Sequence, residues 1–191
     1  MQYNTVVTDA NGGNHAPHQT KMTWDWIDNC AETYHSPRLY HIVLNNLPDL
    51  VGWASYSMQK AVLKDLMQHL RRKKLKASFR SGREIDDSPK GKGEHLHIFI
   101  CIESHLFNPD HILNMKKDGW LVKYAAQRGI HVYVNPPKNE IHSGRNYMSL
   151  PLSKPYKIDD AKQWASYLHK IRTKPTGGEV YSCSRSNRTY H

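Results

Sequence analysis

The chain has 191 residues, enough for one domain with a full core, and 38% of them are hydrophobic. Twenty-seven Lys and Arg stand against 17 Asp and Glu, a formal charge of +10 that points to a phosphate-bearing partner and salt-sensitive binding. No apolar run approaches the roughly 18 residues of a membrane span, and neither a signal-peptide pattern nor CxxC spacing among the three cysteines is present, which fits a reducing cytoplasm.

Residues 1 to about 20 are polar, carry Asn11-Gly12-Gly13-Asn14 and read as loose. A short helix is expected over 23–34, burying Trp24, Ile27 and Ala31. A strand over 39–44 follows, then a turn over 45–49. A helix over 51–70 packs Trp53, Val62, Leu63, Leu66, Met67 and Leu70. The basic run Arg71-Arg72-Lys73-Lys74-Leu75-Lys76 at its end suits either a solvated face complementing the helix dipole or a DNA contact. Residues 75–84 read as a strand with Leu75, Ala77 and Phe79 alternating inward. The turn-rich stretch 86–93 makes it a hairpin with the run 94–102.

Asn108-Pro109-Asp110 caps a third helix that stops near Gly119, and 129–134 is a further strand. The Pro- and Ser-rich stretch 135–157, with Lys138, Arg145, Lys154 and Lys157, reads as a loop clamping a DNA strand. Its Tyr147 and Tyr156 can stack on unpaired bases. A last amphipathic helix over 158–171 begins at Asp159 or Asp160 and buries Ala161, Trp164, Leu168 and Ile171. There is no internal repeat. This order predicts a single α+β domain with a mainly antiparallel central sheet backed by helices.

In Glu94-His95-Leu96-His97-Ile98-Phe99-Ile100-Cys101-Ile102, residues Leu96, Ile98, Ile100 and Ile102 share one face. Alternate side chains of a strand point to the same side, so His95 and His97 point together. A chain with 13 His produces such a pair by chance; the hairpin supplies the context. Its antiparallel strands bring Glu84 near both imidazoles across the ladder. Two neutral imidazoles and a carboxylate with open positions suit Mg²⁺ or Mn²⁺ engaged with a phosphate oxygen. Glu94 and Asp86 are rival carboxylates, and Glu84 can instead be a solvated edge residue. On the last helix, Tyr167 falls beside the buried stripe and Lys170 one turn on. Alone, these two are a core-edge aromatic and a solvated lysine.

Arg83-Glu84-Ile85-Asp86, His95-Leu96-His97 and Tyr167-Leu168-His169-Lys170 resemble the motifs of the HUH endonuclease superfamily. Within it the chain is most similar to the inovirus gene-2-type replication initiators, the YagK/YfjJ C-terminal family. The strand at 39–45 resembles their first strand. Residues 167–174, with Gly177-Gly178 and Ser182-Cys183-Ser184-Arg185, resemble their closing block. The likeness spans 38–186, leaving 1–37 as a partly disordered N-terminal extension and 187–191 as a tail. His169 departs from it, standing where the family more often has a small residue.

The resemblance implies an HUH, ferredoxin-like sheet, a metal held by Glu84, His95 and His97, Tyr167 as nucleophile and Lys170 assisting at the phosphate. The activity implied is site-specific nicking and rejoining of single-stranded DNA for rolling-circle replication of a filamentous phage, prophage or plasmid. It proceeds through a 5′-phosphotyrosine, with host helicase and polymerase as partners. The chemistry needs these residue types, because a phenol of pKa about 10 is a poor nucleophile unless assisted. A relaxase or single-strand transposase would use the same residues, and a catalytically idle DNA-binding protein would share the scaffold. A zinc-stabilised interaction module is disfavoured, since the cysteines offer no closed tetrahedral set.

Overall fold

The computed structural model describes residues 16–46, 53–86, 93–105, 108–113, 119–138, 144–169 and 180–184. Residues 1–15 of the N-terminus expected to be loose to about 20, residues 47–49 of the turn expected over 45–49, the hairpin loop at 87–92 and the stretch 170–179, with Lys170 and Ile171, lie outside them. So does the tail from 185 onward. Residues 17–20 are helical and Asn45 and Asn46 belong to a strand instead.

In chain order come α1 (Pro17–Thr33), β1 (Pro37–Asn46), α2 (Trp53–Arg72), β2 (Ala77–Asp86), β3 (Gly93–Glu103), α3 (Asp110–Leu113) and α4 (Trp120–Ala126). Then follow β4 (Ile130–Asn135), β5 (Tyr147–Ser149), α5 (Pro155–Ala165), a 3-10 turn (Ser166–His169) and β6 (Tyr181–Cys183). The six strands form one antiparallel sheet ordered β4-β1-β3-β2-β6, with β5 also paired to β1. This is the expected α+β architecture of an antiparallel sheet backed by helices.

Every residue of β3 from Glu94 to Glu103 is buried, because both faces of the sheet are covered. On one face Leu96, Ile98, Ile100 and Ile102 join Tyr40, Ile42 and Leu44 against α2 and α4, through residues such as Leu66, Leu70 and Leu121. On the other, Phe99, Cys101 and Leu39 pack against Ile27, Cys30 and Ala31 of α1 and Ile158, Ala161 and Ala165 of α5. Each fully buried large apolar side chain contributes about 2 kcal/mol, so neither layer is dispensable. The alternation in β3 separates a face that is aliphatic from Leu96 to Ile102 from one that also carries the histidines; it does not separate core from solvent.

Several elements differ from expectation. Helix α1 begins at Pro17, not at residue 23, with proline in the first turn where its missing N–H costs no hydrogen bond. For the same reason α5 begins at Pro155, one turn before Asp159. It ends at Ala165, and residues 166–169 tighten into the 3-10 turn, so Tyr167 lies past the α-helix and not within it. Gly119, expected to end a helix, sits at the N-cap of α4. Residues 135–157 are not one loop: Tyr147–Ser149 pair with β1 as β5. Tyr147 lies under the Arg38 guanidinium, 4.3 Å from ring centre to Cζ, and packs on Tyr40, so it is no free platform for bases. Tyr156 remains 58% exposed. The side chain of Trp53 lies outside the described residues. The exposed basic residues 71–74 precede the start of β2, and from Ala77 to Glu84 that strand advances about 23 Å, so the run is remote from Glu84.

Candidate metal centre

The β2–β3 ladder sets Glu84 directly opposite His95, and Gly82 opposite His97. These residues rise from the sheet face that carries Phe99 and Cys101. Their neighbours point the other way. There Arg83 Nε donates to Glu94 Oε1 in a buried ion pair, with the guanidinium over the Tyr56 ring at 4.9 Å. That pairing takes Glu94 out of the ligand set. Asp86, the other rival, ends β2 opposite Gly93.

Glu84 Oε2 lies 3.1 Å from His97 Nε2 and 3.3 Å from His95 Nε2. One donor atom from each residue falls within 4.8 Å of the others, and all three residues are buried. The ring orientations are held from behind. His95 Nδ1 donates to the Gly93 carbonyl at 3.0 Å. Gly93 has φ +64°, a conformation that side-chain-bearing residues adopt only with strain, so the residue type helps to place that acceptor. His97 Nδ1 lies 2.9 Å from Nε2 of His41. His41 is buried on β1, and its pKa falls well below 6.5, chiefly through burial and then through His97 beside it, with Glu84 opposing. A neutral His41 is able to accept the His97 Nδ1–H at this distance, the arrangement that leaves the His97 Nε2 lone pair for a cation.

In that arrangement both imidazoles turn Nε2 lone pairs toward a carboxylate oxygen. Three electron-rich atoms held this close in a buried site repel one another unless a metal ion or protons lie between them. The donor set fits a metal ion. Cis ligands on an octahedron with bonds of about 2.1 Å are about 3.0 Å apart, near the two distances seen here. Zinc has similar bond lengths, so spacing alone does not select the ion.

The Tyr167 ring meets His97 nearly edge-on, 5.1 Å between centres, and lies 6.0 Å from His41. Trp164, one turn earlier, packs edge-on to Phe99 at 5.0 Å, and Phe99 stacks on His41 at 4.2 Å. Of the sequence-predicted residues, Glu84, His95, His97 and Tyr167 thus come together, while Lys170 falls outside the described residues. Tyr181, on β6 opposite Gly82, lies on the same face. Burial, then the charge of Glu84, pushes its phenol to about 12, so it ionises less readily than a free tyrosine. His41 joins the candidate site from β1, a residue that the motifs in the sequence do not mark. Its one signal is a polar side chain between Leu39 and Val43 on alternate positions of an apolar strand.

Fold and site together define an α+β domain with a buried Glu-His-His group able to hold a metal ion beside a tyrosine. No protein-family model and no curated protein matches the chain. Among the described residues no helix is long and apolar enough to cross a membrane.

Proposed function

We propose that the protein nicks and rejoins single-stranded DNA to initiate rolling-circle replication, with Mg²⁺ or Mn²⁺ held by Glu84, His95 and His97 and with Tyr167 as nucleophile. The observation that carries this reading is the Tyr167 ring against His97, at 5.1 Å. A nuclease that activates water needs no phenol there, whereas strand transfer does.

When bound, the metal supplies Lewis acidity at a phosphate oxygen. The protein supplies the rest. His41 and Gly93 hold the two imidazoles in register, and the Tyr167 ring rests against His97 and His41. The Tyr167 oxygen attacks the scissile phosphorus and its proton passes to solvent. The P–O3′ bond breaks and the 3′ oxygen takes up a proton. The phosphate stays on Tyr167 as a diester with the 5′ side of the strand, and a 3′ hydroxyl can reverse the exchange without ATP. Lys170 joins the scheme from the sequence motif, as a cation for the phosphate. The +10 charge supports phosphate binding and a nucleic-acid substrate. Host helicase and polymerase in the cytoplasm would extend the freed 3′ end.

An unpaired strand reaches a recessed site more readily than a stacked duplex does. The test is incubation with Mn²⁺ and labelled DNA from the protein's own replicon, offered as single strand and as relaxed duplex, with and without chelator. The expected result is cleavage of the single strand alone, abolished by chelator and by His97→Ala, with salt-dependent DNA binding retained. Cleavage that persists in chelator, or equal rates on both DNA forms, would overturn the proposal. DNA binding with no cleavage would point to an idle scaffold.

A further inference from the structure

His169 is a histidine outside the metal group, and it is only 1% exposed. A buried imidazole costs free energy unless its nitrogens are bonded. Its Nε2 shares a 2.8 Å hydrogen bond with the hydroxyl of Thr23, which is itself fully buried on α1. Its carbonyl accepts from the Ala16 N–H at 3.0 Å, just before the first turn of α1.

The other end of the 3-10 turn is tied to the same helix. Trp24 Nε1 donates to Ser166 Oγ at 2.9 Å and also reaches the Lys162 carbonyl. Lys162 Nζ lies 2.7 Å from Asp28 Oδ1. Tyr167 sits between the two anchored residues, Ser166 and His169. A single 3-10 turn has poor internal hydrogen bonds, so its position depends on what grips it from outside. Here the grip comes from a helix more than 140 residues away in sequence. An apolar side chain at 169 would fill the space equally well, but a polar one bonded to Thr23 defines where the turn must sit.

We infer that His169 and Thr23 are positioning residues that fix the turn from which Tyr167 faces the metal centre, which makes α1 a working part of the nicking site. The inference rests on Tyr167 being the nucleophile. It gives His169 a task distinct from phosphate contact, since its ring is enclosed by Thr23 and Tyr181, the latter at 5.2 Å.

The test uses the full chain with Thr23→Val, which removes one hydroxyl at constant shape, His169→Leu, and His169→Gln, whose amide restores a polar atom near the position of Nε2. Two measurements run together. One is the single-turnover rate of the covalent DNA adduct. The other is relaxation by bound Mn²⁺ of a fluorotyrosine placed at position 167, which weakens steeply as the ring moves away. Thr23→Val and His169→Leu should lower the adduct rate roughly a hundredfold, as a displacement of about 1 Å does. Both should weaken the relaxation while Mn²⁺ affinity and DNA affinity hold, and His169→Gln should recover most of each signal. Should His169→Leu not fold, Thr23→Val decides. A Thr23→Val protein with wild-type rate and relaxation overturns the inference, as does one that loses Mn²⁺ affinity in step with rate. A wild-type protein that forms no adduct defeats the nicking proposal instead, and the relaxation measurement still decides whether this contact positions Tyr167.

Discussion

Glu84 Oε2 and the two imidazole Nε2 atoms are close enough to share one cation, so a metal ion bound there should stabilise the fold measurably. At a hundredfold excess over Kd a ligand that binds only the native state adds about 2.7 kcal/mol. Thermal unfolding of the wild type should therefore rise on addition of Mn²⁺, and Glu84→Gln, which keeps the size but removes the charge, should respond little. An equal rise in both would show that the ion binds elsewhere. His41 stands one step behind the candidate ligands. His41→Leu should weaken Mn²⁺ binding tenfold to a hundredfold, the usual cost of losing an outer hydrogen-bond partner, with the fold retained. A Mn²⁺ titration checks this, and unchanged affinity would contradict the role given to His41. Tyrosines provide a test of burial at alkaline pH. Burial first of all lifts the Tyr34 and Tyr181 phenols to about 12, and Tyr40 rises further. The folded chain holds these protons more tightly than the unfolded chain, whose phenols ionise near 10. The stability they contribute is intact below pH 10 and is lost as pH rises toward 12. Phenolate absorbance should show these groups ionising late, in step with loss of structure.

The β2–β3 hairpin is the element on which the site depends, because a slip of one residue would send Glu84 to the opposite face. The buried Arg83–Glu94 pair lies just behind the metal group and joins the two strands. Removing one partner leaves a buried charge, so Glu94→Gln should cost about 3–5 kcal/mol in urea unfolding. Arg83→Met combined with Glu94→Leu should recover most of it, since a matched apolar pair leaves no charge behind. This hairpin was legible because its apolar alternation is long and its turn is rich in Gly, Pro and Asp. Strands β5 and β6, at three residues each, are too short for any period to show. The start of α1 was hidden because buried positions Thr20 and Thr23 are polar and break the apolar stripe. At Gly119 a glycine opens a helix where the sequence predicts one that closes it; the spacing of Trp120, Leu121, Tyr124 and Ala125 carries the opposite signal.

Across the whole molecule, the sheet is closed on both faces, and the turn that carries Tyr167 is gripped by the most N-terminal helix described. A fragment beginning at residue 38, where the motif resemblance begins, would lack α1 and bare the apolar surface of Leu39, Phe99 and Cys101. It should expose hydrophobic surface to a dye and lose cooperative unfolding; a fragment that unfolds as the full chain does would show that α1 adds little. The proposed chemistry stands or falls on a covalent bond. Tyr167→Phe removes one oxygen and keeps the ring against His97, so folding, metal binding and DNA binding should survive. The most direct measurement is a peptide map of the wild-type protein after reaction with single-stranded DNA and Mn²⁺. A nucleotide carried on Tyr167 through its 5′ phosphate, with no adduct from Tyr167→Phe, is the result predicted here. A full level of adduct from Tyr167→Phe, or a nucleotide mapped to Tyr181 or Tyr156, would contradict it.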